Sequence, residues 1–126
     1  MPERILKSGT RLLFGEPAEP MAEIMADAIS QVVAQVPEIR EAYLPQCLIP
    51  GDKEARQVLV VGFARDSQIL PAMQILMEKM RLVLPAGEAI DILPFTVRNM
   101  PSEARVKAFR IHKLDDPPWR KFWTKG

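Results

Sequence analysis

Gln57-Val58-Leu59-Val60-Val61-Gly62-Phe63 is almost continuously apolar and rich in β-branched residues. Such a run fits a strand buried on both faces, in the interior of a sheet. On its C-terminal side, Asp66-Ser67 offers helix caps. Ile69, Met73, Leu76, Met77, Met80 and Leu84 then fall on one face of a helix. Pro71 must lie in its first turn, so the regular helix starts at about Leu70 and closes at Pro85-Ala86-Gly87. Ala89-Ile90-Asp91-Ile92-Leu93 alternates as a strand and stops at Pro94. The loop Arg98-Asn99-Met100-Pro101-Ser102 leads to a last strand expected over Val106 to Leu114.

On its N-terminal side, Pro50-Gly51-Asp52-Lys53-Glu54 is a polar turn. The strand before it runs from about Glu41 to Ile49 and contains Pro45, which points to an edge strand or a bulge. Earlier still, Met21, Ile24, Met25, Ala28, Ile29, Val32, Val33 and Val36 recur at spacings of three and four, between Pro20 and Pro37. That is the apolar stripe of an amphipathic helix. The first strand is Arg11-Leu12-Leu13-Phe14, stopped by Gly15.

Strand, helix, strand, strand, helix, strand is the order of a ferredoxin-like βαββαβ sandwich of the α+β class. The expectation is a mainly antiparallel sheet with both helices on one face, an extra C-terminal strand and a short aromatic tail. In the strand order 4-1-3-2 the first and third strands are interior. The prolines of the second and fourth, and Asp91, then fall on edges that tolerate them.

The 126 residues, 48% apolar and 26% charged, suit one α+β domain over 1–126, with 115–126 as its tail. A net charge of +1 supplies no global field for nucleic acid or an anionic membrane. No apolar run reaches the roughly 18 residues of a membrane span. Cys47 is the only cysteine, so no disulfide forms within the chain. The first residues lack the apolar core of a signal peptide, and a cytoplasmic location is expected.

No catalytic, metal or cofactor motif stands out. His112 is the only histidine, and one His with one Cys cannot make a zinc site of the usual spacing. A Cys47–His112 nucleophilic pair is conceivable, against the plainer reading of a core cysteine and a surface histidine. Glu16, Glu19, Glu23 and Asp27 read as a solvated helix entrance rather than a cation site. The methionines of both helices read as core.

The C-terminal segment carries the candidate binding residues. Trp119, Phe122 and Trp123 stand at i, i+3 and i+4, flanked by Arg120 and Lys121 and preceded by Pro117-Pro118. One helical turn would set the three aromatics on one side. The charge is uneven too: residues 1–97 hold nine bases and thirteen acids, residues 98–126 eight bases and three acids. Trp119, Arg120, Phe122 and Trp123 are therefore expected to meet a protein partner, unless the aromatics fold back over their own sheet. Single-stranded nucleic acid is disfavoured by the small number of bases.

Gly9-Thr10-Arg11-Leu12-Leu13-Phe14-Gly15-Glu16-Pro17, followed after a helix by Val36-Pro37-Glu38-Ile39-Arg40-Glu41-Ala42-Tyr43-Leu44, resembles the C-terminal domain of the bacterial SseB family, named for enhanced serine sensitivity. The strand Val58 to Phe63, the next helix and Ile90-Asp91-Ile92-Leu93 fit as well. Typical members carry another domain upstream. The resemblance implies no established enzymatic activity and supplies no catalytic residue.

The expected function is a non-enzymatic interaction or regulatory module, with a protein partner or self-association as a homodimer. The alternative is an amino-acid sensor of the ACT type, by analogy of fold and family name alone. An enzyme using Cys47 is the weakest of the three.

Overall fold

The computed structural model describes residues 12–48, 50–51, 53–85 and 88–113. Arg11, Ile49 and Leu114, at the ends of expected strands, and the 115–126 segment lie outside them. The elements are β1 (Leu13–Gly15), α1 (Glu23–Ala34), β2 (Ile39–Tyr43), β3 (Gln46–Leu48), β4 (Arg56–Gln57), β5 (Leu59–Phe63), α2 (Ile69–Val83), β6 (Ile92–Thr96) and β7 (Arg110–Lys113). The class is α+β, ferredoxin-like, with mostly antiparallel pairing.

The apolar run around Val60 is interior, as its composition requires. β5 lies between β2 and β6 in a four-stranded sheet of order β6-β5-β2-β7, and all five of its residues are buried. Alternation along β5 divides the core. Leu59, Val61 and Phe63 meet Ile29, Val32 and Val33 of α1 and Ala72, Leu76 and Met80 of α2. Both helices thus cover one face, as expected. Val58 and Val60 point the other way, to Tyr43, Cys47, Leu93, Met100 and Ala104. Each large side chain so buried contributes about 1.5–3 kcal/mol.

The strand order is not 4-1-3-2. The first strand is absent from the main sheet and pairs with β3 in a second sheet of order β1-β3-β4. A three-residue strand with Leu13 exposed cannot meet the two-sided burial of an interior place. The expected second strand is split and not an edge. Its first half, β2, is interior in the main sheet, and its second half, β3, is interior in the small one.

Pro45 marks the split. β2–β3 and β4–β5 are the two arms of one hairpin, and its register carries unbroken from Tyr43↔Val60 to Gln46↔Gln57. Between these pairs the Val58 N–H donates to the Pro45 carbonyl at 2.9 Å. The reciprocal bond is missing because proline has no N–H, and there the hairpin passes from one sheet to the other.

β6 is an edge, as expected of the fourth strand, but it starts later and runs through Pro94. It pairs in parallel with β5, and α2 makes the crossover between them. The Leu59 N–H donates to the Asp91 carbonyl and the Val97 N–H to the Phe63 carbonyl. Odd-numbered positions of β6 therefore face β5, and Pro94 belongs to the outward set, where its missing N–H costs no ladder bond. Asp91 is not an exposed edge charge: it is buried, 3.6 Å from Arg56.

The last strand is shorter than expected, because residues 107–109 form a 3-10 turn before β7. Asp66-Ser67 lies in a 3-10 turn instead of capping α2 by side chain. Pro71 is in the first turn of α2, as the helix demands. α1 begins two residues after Met21, whose N–H donates to Gln57 Oε1 at 2.7 Å. Ile24, assigned to the buried stripe, is exposed at the start of that helix.

This arrangement has a direct stability signature. Leu59→Ala should cost about 2–5 kcal/mol and Leu13→Ala no more than about 0.5 kcal/mol in urea unfolding. Equal costs would place β1 in the interior and contradict the strand order.

Candidate functional site

The densest polar constellation lies on the sheet face turned away from the helices. Glu41 and Tyr43 are two apart on β2, so both side chains take that face. Opposite Glu41 on β5 is Gly62. After β6 the chain turns at Thr96–Met100, where the Asn99 and Met100 N–H groups both donate to the Thr96 carbonyl. It then crosses the face and makes a 3-10 turn at Ser102–Ala104. That path delivers Arg105 to Glu41.

Arg105 Nε donates to Glu41 Oε1 at 2.9 Å and Nη2 to Oε2 at 3.3 Å. The same guanidinium donates to the carbonyls of Val97 at 2.7 Å and Met100 at 3.2 Å. The Tyr43 hydroxyl donates to Glu41 Oε1 at 2.8 Å. One arginine thus staples the 97–105 strap to the sheet. Gly62 makes the close approach feasible: a Cβ there would meet Met100 Cε at 2.7 Å and Glu41 Cγ at 3.0 Å.

The electrostatics follow from the contacts. Burial pushes the Glu41 carboxyl up, but the hydrogen bonds of Arg105 and Tyr43 and the charges of Arg105 and Lys113 outweigh it, leaving it below the usual 4.5. Burial, then the bond to Glu41 and its charge, raises Tyr43. The bond to Glu41 leads in raising Arg105, against its own burial. Both oxygens of this carboxylate are already engaged by a guanidinium and a phenol, which leaves it little capacity to accept from a substrate. The cluster is structural chemistry: a latch rather than a reaction centre.

The residues singled out from the sequence separate. Cys47 is buried among Tyr43, Val58 and Val60, on the face away from the helices. His112 pairs with Ala42, whose side chain belongs to the helix-side core. The sheet stands between them, and the Cys47–His112 pair does not form. Glu16, Glu19, Glu23 and Asp27 are exposed. Among the described residues, no three His, Cys, Asp or Glu side chains could hold a metal ion. No helix there is long and apolar enough to cross a membrane. Trp119, Arg120, Phe122 and Trp123 lie outside the described residues.

Sequence reasoning missed the latch. Its signal was Gly62, a lone glycine inside an apolar strand, which marks a close approach by another group. Nothing local in Arg105 identifies its partner.

The latch-bearing region coincides with a known family. Residues 6–109 match the SseB protein C-terminal domain. The chain belongs to the SseB family. Protein SseB of Escherichia coli (strain K12) is 30% identical over 90 residues, covering 71% of this chain and 34% of that protein. Protein SseB of Shigella flexneri has the same identity and coverage. The matched region spans about a third of these curated SseB proteins. No solved structure matches the chain. Every residue of the latch falls inside the SseB-matched span, whereas β7 and the aromatic segment follow it.

Arg105→Ala should cost about 2–3 kcal/mol at pH 7. That is less than the ~3–5 kcal/mol of a fully buried pair, because the Arg105 side chain is 30% exposed. Arg105→Lys should recover only part, since an ammonium cannot span both carboxylate oxygens and two carbonyls. The pH dependence has a fixed sign. A carboxyl with a depressed folded pKa stabilises fully above its unfolded value and loses that contribution as pH falls through the folded one. In Arg105→Ala the burial of Glu41 is less opposed, so its carboxyl lies higher than in wild type. The gap between the two proteins should therefore be largest near neutral pH and narrow steadily as pH falls toward and below about 4.5, as read by urea unfolding at a series of pH values.

Proposed function

We propose that this chain is a non-enzymatic protein-interaction or regulatory module of the cytoplasm. Its contact element is the C-terminal segment bearing Trp119, Arg120, Phe122 and Trp123. The observation that carries this reading is how the fold distributes its chemistry. The charged cluster on the sheet is consumed by internal bonds, and Cys47 is only 1% exposed. A thiol acting as nucleophile needs access and a stabilised thiolate. Large apolar side chains meanwhile stand outside the core on the helices: Leu82 is 85%, Ile24 81% and Leu70 75% exposed. One exposed leucine means little, but several on a small domain suit contact with another protein.

Deleting residues 117–126 should abolish capture of the partner from a cell lysate while shifting the unfolding midpoint by little. Capture unchanged by the deletion would remove the C-terminal segment from the interaction.

A further inference from the structure

The latch leaves positive charge over. In the β2–β7 ladder, Lys113 stands opposite Glu41 and Arg110 opposite Tyr43. Directly opposed residues share a sheet face, and the bulge opposite Ala42/Tyr43 offsets the odd spacing of Arg110 and Lys113, so both cations lie on the face that holds Arg105. Both residues are exposed. Glu41 is the only acid of this group, and Arg105 already occupies both of its oxygens. Among the described residues, neither Arg110 nor Lys113 has a carboxylate within ion-pair distance. In the sequence, the segment leading into β7 also holds Lys107, with Glu103 as the acid nearest to it, and Asp115 and Asp116 follow the strand.

We propose that the β2–β7 edge, on the face away from the helices, is a docking surface for an acidic protein segment, with Arg110 and Lys113 as its carboxylate-binding residues. The proposal rests on the interaction-module reading and names the chemistry of one partner surface. Charge complementarity selects the occupant. A carboxylate arriving here meets two exposed cations that make no ion pair among the described residues, at the rim of the sheet, where desolvation is slight; Lys113 acts on Glu41 only through space. Side chains do the holding rather than an extended ladder, because the Ile111 carbonyl already accepts from Ser30 Oγ at 2.9 Å. Nucleic acid is the poorer occupant. The ring beside Arg110 in the ladder, Tyr43, is buried with its hydroxyl on Glu41, so it offers no stacking platform next to these cations.

The test measures fluorescence anisotropy of labelled hexaglutamate with the full chain. Binding should appear at about 50 mM salt and weaken several-fold by about 300 mM, as screened surface charges require. Arg110→Gln with Lys113→Gln should weaken it about tenfold while the unfolding midpoint stays unchanged. Hexalysine should not bind. Retention of hexaglutamate by the double variant would overturn the proposal, and so would absence of binding at low salt. A labelled oligothymidylate binding more tightly than hexaglutamate would also overturn it. Tenfold tighter peptide binding by Asp115→Asn with Asp116→Asn would make the chain's own acids the occupant, again against the proposal. None of these outcomes bears on partner capture by residues 117–126, so the broader reading stands or falls separately.

Discussion

The ladder between the two arms of the 39–63 hairpin is the constraint on which the rest depends. From Glu41 to Cys47 it holds one register through two sheets, after a bulge between Ile39 and Glu41, and it bends where Val58 donates to the carbonyl of Pro45. On one side of the bend, the arms form the interior of the main sheet and take up β6 and β7 as its edges. Beyond the bend, the strand that carries Cys47 takes up β1. A continuous hairpin with its turn at one end is locally encoded and has a small loop to close. Once it exists, the interior places of the main sheet are filled, and the first strand of the chain can join only the outer half.

Two-sided burial then asks for two covers. The helices supply one through regular apolar stripes. The other is assembled from irregular pieces: Leu12 and Phe14 near β1, and Met100 and Ala104 on the strap. Irregular backbone over a core needs its polar groups satisfied. Arg105 answers this by taking the carbonyls of Val97 and Met100 while it neutralises Glu41. An isolated carboxylate in that position would be costly. Bonded to a guanidinium and a phenol, it fixes where the strap lies. Gly62 is the steric counterpart of the same contact, since the strap methionine fills the space a side chain would need.

The chain is an SseB-family domain, and geometry shows that its buried polar cluster is bonded internally. The SseB-matched span ends at residue 109, next to β7. The basic excess begins at Arg98, inside that span, and continues past its end, where the aromatic residues follow. The proposed contact residues lie at and beyond that end, although β7 itself is an edge of the main sheet.

The sequence by itself determined the α+β class, the interior place of Val58 to Phe63, both helices and their shared face, and the edge position of the fourth strand, though it ended that strand at Pro94 instead of running it through. These follow from short-range periodicity, β-branched content and the missing N–H of proline, which act within a few residues. Pro45 was legible as an interruption, but proline reports only a lost bond, not whether the strand is an edge or a bend between sheets. Only the tertiary structure decided that the first strand leaves the main sheet, that Asp91 and Glu41 are buried, and that Arg105 crosses 64 residues of chain to reach its carboxylate. Pairings at that separation depend on which strand has already occupied a ladder and which face still lacks cover, and no local pattern of residues carries that information.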